Sequence, residues 1–277
     1  MIMDWCDWFG RGGSVEERPQ PLVRWLLRPV ETHFEEAYRR RADGTTVINA
    51  LLREKAIGLG VDPSSILLIQ NGSDPDRPQR SREEAKKKVG LEGEDQWIGF
   101  VGGTFLQDAR FMADAFNRVM ARKKKVKLLL VGYFNREIEG WLSDPSRVVR
   151  TGSLPYNRLF DYLSACDICW LPLCDHSANQ GRRPLKLNDY LTVGRPVVAT
   201  DVGDLREVIE KYRLGLIADT HFADFAQKTL ELLEQTPLRE EMGRKARVAA
   251  ETVFSWDRIT RELEMFYFSV LDKASHN

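Results

Sequence analysis

The chain has 277 residues, 43% of them hydrophobic, and 12 prolines, a composition that packs into one large or two modest domains and excludes disorder as the main state. Lys plus Arg and Asp plus Glu both number 41, so no global field recruits nucleic acid and any anion site must be a local cluster. The N-terminus lacks a basic leader and no window reaches the roughly 18 to 20 apolar residues of a membrane span; the expectation is a soluble, cytoplasmic protein with no transmembrane segment and no nucleic-acid partner. In chain order, DWCDWFGRGG from Asp4 to Gly13 reads as a strand end followed by a glycine loop. A helix over 22–40, a strand over 45–49, a helix over 50–59 and a strand over 65–70 follow, too little for a full sheet. The stretch 74–82 (DPDRPQRSR) is polar and proline-containing and reads as a linker.

From residue 96 onward, β-rich apolar runs at 97–101, 126–131, 148–150, 168–173, 196–200 and 214–218 alternate with helical stretches at 108–121, 136–142, 156–166, 184–192 and 204–212. This is the pattern of a parallel sheet covered by helices. Two helices over 222–234 and 238–253 carry apolar residues at i, i+3, i+4 spacing. The last helix, after Trp256, bears a stripe of Ile259, Leu263, Phe266, Tyr267, Val270 and Leu271. The predicted domains are 1–74, a partial sheet; 75–255, a complete one; and 256–277, a helix returning to the first part.

Three of the four cysteines, Cys166, Cys169 and Cys174, lie in or beside an apolar run, and with Cys6 they read as reduced thiols; the single CxxC has no second pair for zinc. Asp74 and Asp76 have DxD spacing but fall in the linker, so no metal and no cofactor is expected. Ligands of open parallel sheets collect at the carboxyl ends of the strands, which directs attention to the segment after Leu173. There Pro184 suits the first position of a helix and Gly194 its end. Arg182, Arg183 and Lys186 converge on that start, where a diphosphate would suit arginine forks and a lysine point charge; the alternative is a solvated helix start. Asp189, one turn deeper, can accept ribose hydroxyls or pair with Lys186. His176 reads as a polar contact.

The string PLKLNDYLTVGRPVVATDVGDLREVI resembles the signature helix, turn and strand of the large family of retaining two-domain (GT-B) glycosyltransferases that includes sucrose synthases and many bacterial lipopolysaccharide and mannosyl transferases. NGSD at Asn71 to Asp74, FVGGT at Phe100 to Thr104, LLLVG at Leu128 to Gly132, TGSLPYNRLFDYLSACDICWLPL from Thr151 to Leu173 and FSW at Phe254 to Trp256 extend the resemblance over about residues 40 to 273. It implies an α/β fold of GT-B type, with a complete C-terminal Rossmann-like domain and a partial N-terminal one. It also implies transfer of a sugar, with retention, from a nucleoside diphosphate sugar of UDP or GDP type to a glycan, lipid or small-molecule acceptor. Arg182, Arg183 and Lys186 would hold the diphosphate and Asp189 the ribose. Gly102, Gly103, Gly132, Gly152, Ser153 and Leu154 would lie along the donor.

The sequence also departs from the family pattern. The first acid of the family's pair falls on Gly181, so its contact is absent or supplied by Asp175 or Asn179. The family's arginine after the first donor-domain strand is replaced by Gly103 or Thr104, with Arg110 the nearest substitute. The alternatives are a nucleotide-sugar-binding remnant without transferase activity and a sugar-nucleotide epimerase of the same fold. Because the N-terminal part is short, a missing N-terminal segment or self-association through the last helix and Trp5, Trp8 and Trp25 is expected.

Overall fold

The computed structural model describes residues 1–77 and 80–275, so Pro78 and Gln79 of the expected linker lie outside the described residues. The chain divides into two compact units, Met1–Gly72 with Asp175–Pro184 and Trp256–Asn277, and Ser73–Cys174 with Leu185–Ser255.

The first unit contains β1 (Ile2–Trp5), α1 (Pro21–Arg39), β2 (Gly44–Val47), α2 (Ala50–Gly58) and β3 (Ile66–Leu68). The strands form a parallel sheet in the order β1-β2-β3, over a core of Trp5, Val47, Ile48, Leu52, Ala56 and Val61. α2 starts where the Asn49 side chain accepts the Leu52 N–H at 2.9 Å, a side-chain N-cap. α1 is amphipathic in an unusual sense, because its charged side faces inward. Glu35 is buried and accepts the Trp5 indole N–H at 2.7 Å and the N–H groups of Phe9 at 2.8 Å and Gly10 at 2.7 Å, which pins the glycine loop. The Arg39 guanidinium lies 4.0 Å over the Trp5 ring. Trp5 is therefore fully buried and not part of an exposed patch as expected, whereas Trp25 is 72% exposed, with Leu22, Leu26, Val30 and Phe34 also open to solvent.

The last helix of the chain, Trp256–Ser275, belongs to this unit. Ile259, Phe266 and Val270 are buried, so the expected stripe is partly covered within its own unit. The reason is Gly44 of β2, where any Cβ would come within 3.0 Å of Phe266 and 2.9 Å of Val270. Tyr267 and Leu271, on the other side of the helix, are exposed.

The second unit begins with α3 (Arg82–Val89), followed by β4 (Gln96–Val101), α4 (Leu106–Arg122), β5 (Val126–Val131), β6 (Val148–Arg150), α5 (Tyr156–Ser164) and β7 (Ile168–Leu171). The chain then makes one short helix of the first unit, α6 (Ser177–Gln180), and returns with α7 (Lys186–Thr192), β8 (Val197–Thr200), α8 (Leu205–Tyr212), β9 (Gly215–Ala218), α9 (Phe222–Glu234) and α10 (Thr236–Thr252). The helix after Trp256 is α11. The sheet is wholly parallel in the order β6-β5-β4-β7-β8-β9. Its central strands are mostly apolar because both faces are covered, one by a core that includes Leu129, Leu171 and Val197 and the other by one that includes Ile98, Leu128 and Trp170. The order reverses between β4 and β7, and in such sheets the crevice outside the carboxyl ends at that reversal receives the ligand.

Two local expectations are corrected here. The stretch 136–142 is not a helix but a loop with one 3-10 turn at Glu139–Trp141, because Asn135 and Arg136 are committed to the neighbouring β4 loop, as described below. The start of the expected linker is anchored: Arg247 of α10 donates to the carbonyls of Pro75 and Thr192, each at 2.6 Å, and Ser81 opens α3 with a capping box to Glu84.

Candidate functional site

Within the second unit, the carboxyl end of β4 runs into Gly102, whose φ of +67° turns the chain in a conformation that side chains disfavour. The following carbonyl, of Gly103, accepts a hydrogen bond from the Lys186 ammonium, which also sits 4.7 Å from the centre of the Phe100 ring. Lys186 is the first residue of α7, two positions later than Pro184, since Leu185 forms the cap. α7 is located by three contacts. Tyr190 Oη accepts the Val101 N–H at 3.2 Å, the Thr192 carbonyl at the far end takes the Arg247 guanidinium, and Gly243 of α10 lies against Gly194.

The loop after β4 is held by side chains from the loop after β5 and from α4. Asn135 Oδ1 accepts the Thr104 N–H at 2.9 Å, and Arg136 Nε donates to the Thr104 carbonyl at 3.2 Å. Asp108, fully buried, accepts from the Thr104 hydroxyl at 3.3 Å and from the Cys174 N–H at 2.8 Å, joining the loops that follow β4 and β7. A Cβ on Gly103 would meet the Asn135 amide at 3.0 Å. Gly132 and Gly152 pair in an isolated antiparallel bridge, with Thr151 Oγ1 accepting the Gly132 N–H at 2.8 Å. Ser153 is exposed in the next turn, and Leu154 packs on the core at the start of α5.

Asp189 lies one turn into α7 and receives the Tyr156 hydroxyl at 3.0 Å. Burial raises its carboxyl to about 6, against the opposing pull of the Tyr156 hydrogen bond and the Lys186 charge. The same burial and the Asp189 carboxylate push the Tyr156 phenol up to about 12, which keeps it protonated as a donor. An ammonium and a carboxylate one turn apart, at the end of the sheet, offer one partner for an oxyanion and one acceptor for hydroxyls. Neither Tyr156 nor Asn135 and Arg136 stood out in the sequence. Asn135 and Arg136 lie just past the carboxyl end of β5, the one cue that would have drawn attention to them.

Other expected residues are placed elsewhere. Arg110 is on the outer side of α4, paired with Asp114 at 3.2 Å and 5.3 Å over the Trp141 ring, so it does not join the Lys186 group as a substitute arginine. Arg182, Arg183 and Asn179 belong to the first unit. Arg183 is 4% exposed. The charge of Arg182 acts on Asp7, whose carboxyl burial nonetheless raises overall. Asn179 is fully buried and bonds the His176 ring at 3.0 Å, while Asp175 Oδ1 accepts Gln180 Nε2 at 2.6 Å. At Gly181, where the family pattern has an acid, a Cβ would come within 2.5 Å of Trp8 Cβ; the indole has taken the space an acid would need. Among the described residues no cluster of metal-ligating side chains occurs, and no helix is long and apolar enough to cross a membrane.

Comparison with known proteins bears on the fold and the family. The D-inositol 3-phosphate glycosyltransferase of Gordonia bronchialis is 28% identical over 218 residues, covering 72% of this chain and 46% of that protein. The chain thus spans about half the length of that relative. Among solved structures, sucrose-phosphate synthase from Thermosynechococcus elongatus superposes with a TM-score of 0.72 at 18% identity, over 98% of this chain and 68% of that one. Anabaena HepE in complex with UDP superposes with a TM-score of 0.68 at 17% identity, over 97% of this chain and 72% of that one. These likenesses show the α/β fold of GT-B glycosyltransferases. The family described as Glycosyl transferases group 1 matches residues 95–235, half of the chain and the whole of the six-stranded sheet, and the chain therefore belongs to that family.

Proposed function

We propose that the chain binds a nucleoside diphosphate sugar of UDP or GDP type and serves the transfer of its sugar, with retention, to a glycan, lipid or small-molecule acceptor. The observation that carries this reading is the Lys186 and Asp189 pair on α7, set at the carboxyl end of β4 where the strand order reverses. UDP in the Anabaena neighbour supports the ligand class. In this reading Lys186 balances the charge that grows on the diphosphate as its bond to the anomeric carbon breaks, and Asp189 accepts the ribose hydroxyls. The carbonyl and N–H groups around Gly102, Gly103, Gly132 and Gly152 let the donor approach the main chain closely. Arg182 and Arg183, four and three positions before Lys186, are proposed as further diphosphate partners. No side-chain nucleophile is required, since the leaving phosphate can take the acceptor proton on the same face.

Calorimetric titration with UDP and GDP tests this directly. Lys186→Ala should lose a charge-assisted contact of about 1.5–3 kcal/mol, more than tenfold in affinity, and Arg182→Ala with Arg183→Ala should weaken binding further. Nucleotide affinity unchanged in the triple variant would exclude the site. Binding without any donor turnover over a panel of acceptors would favour a nucleotide-sugar-binding protein over a transferase.

A further inference from the structure

A cavity of about 280 Å³ opens at the opposite end of the same sheet, where the strands begin. Its lining comes from the amino ends of strands: Cys166 and Asp167 directly precede β7, and Gly194, Arg195 and Pro196 precede β8. Four guanidinium groups stand around it, on Arg82, Arg195, Arg239 and Arg244. Only one carboxylate is buried among them. Asp167 pairs with Arg82, lies 3.8 Å from Arg239 Nη2, and uses its other oxygen to accept the Trp97 N–H at 2.8 Å.

Two of these arginines have a structural reason to be there. Arg195 donates to the carbonyl of Ser164, the last residue of α5, and Arg239 donates to the carbonyls of Leu232 at 3.2 Å and Leu233 at 2.8 Å near the end of α9, so each completes a helix C-terminus. Those neutral acceptors do not cancel the formal charge. Three guanidiniums share one buried carboxylate, and burial together with the charge of Arg82 holds both Arg195 and Arg239 below the ordinary arginine range. Arg244 is exposed and forms no ion pair among the described residues. Ser81, the capping residue of α3, also borders the opening. Against this stand two exposed acids, Glu83, which pairs with Arg82 at 3.1 Å, and Glu240.

We propose that this arginine-lined cavity is a binding site for a phosphate-class oxyanion, separate from the donor site. Guanidinium groups lining one opening suit tetrahedral oxyanions, and an anion there would add a counter-charge beside Arg195, Arg239 and Arg244, for which no carboxylate among the described residues pairs closer than the 3.8 Å between Arg239 and Asp167. The inference does not depend on the proposed transferase activity, since it concerns the other end of the sheet and different residues.

The test is calorimetric titration of the full chain at low ionic strength with inorganic phosphate, diphosphate and glycerol 3-phosphate, all in a Lys186→Ala background that weakens the donor site. Saturable binding of inorganic phosphate is expected if the site takes the free ion, and preference for glycerol 3-phosphate if it takes an esterified phosphate. Arg82→Gln with Arg244→Gln should weaken the preferred ligand more than tenfold, while Arg239 remains to pair Asp167. Glu240→Gln removes a facing charge from an exposed position and should strengthen binding about twofold to threefold, a gain that misfolding cannot mimic. Absence of saturable binding for all three ligands, or affinities that neither the arginine nor the Glu240 variants change, would overturn the assignment.

Discussion

Asp189 shows what the residue scale contributes beyond a motif. Its carboxyl, raised by burial from an ordinary 3.8 to about 6, holds its proton more tightly in the folded chain than in the unfolded one. The ionised form therefore costs stability, and the cost appears as pH rises from about 4 through 6 and is fully present above that. Asp189→Asn is expected to stabilise the protein at pH 7.5 by about 1 kcal/mol, after allowance for partial exposure, and to leave it unchanged at pH 4; urea melts at the two values measure this. The same ionisation should govern ligand binding. Nucleotide affinity in the wild type should be weaker at pH 5 than at pH 7.5, where Asp189 can accept hydroxyls, and Asp189→Asn should lower affinity and abolish the difference. An undiminished pH dependence in the variant would assign it to another group. The positions of Lys186 and Asp189 could be read from their spacing along one helix. Tyr156 could not, because it lies 33 residues away and becomes a partner only once α5 and α7 flank the same strands.

Helix α7 is the element on which the site depends, and its position is set from behind. Gly243, buried within α10, lies so close to the turn after α7 that a Cβ would stand 2.7 Å from the Gly194 carbonyl. Gly243→Ala is expected to push the two helices apart and to cost about 1–3 kcal/mol by overpacking, a fall of several degrees in Tm readable by calorimetry. Because Lys186 is at the other end of the displaced helix, nucleotide affinity should fall as well. An unchanged Tm would show that the turn yields at no cost. Most elements were legible as apolar periods of two or 3.6 residues, including the six strands of the larger sheet and both helices α9 and α10. The misread stretches were those where local composition lost to tertiary contacts. The segment 136–142 has enough helix formers for one turn or two, but Asn135 and Arg136 are drawn to Thr104, and 74–77 looked like free linker until Arg247 was seen to bind it.

At the scale of the whole molecule, charge and exposed apolar surface act together. The chain carries equal numbers of acidic and basic side chains and has a pI of about 6.9, so little net repulsion keeps copies apart near neutral pH. The outward side of α1 exposes Leu22, Leu26, Val30 and Phe34, together with Trp25, a contiguous apolar surface of the kind that monomers seldom leave open. Light scattering of the chain is expected to show concentration-dependent association that is strongest near pH 7 and weaker at pH 9. Leu26→Glu combined with Val30→Glu should reduce it without affecting nucleotide binding. A monodisperse monomer at all concentrations and both pH values would refute this expectation.

Sequence alone determined the alternation of strands and helices and the parallel character of the larger sheet, because periodicity and turn chemistry are local properties of the chain. It also determined the family, through an ordered set of short motifs. Tertiary structure decided which charges belong together. Glu35 and Arg39 turn the charged side of α1 inward to hold Trp5, Tyr156 donates to Asp189 from 33 residues away, and Trp8 occupies the space at Gly181 where the family pattern has an acid. The reason is physical: a charged side chain goes where its hydrogen bonds can be satisfied during burial, and those partners come from segments far away along the chain.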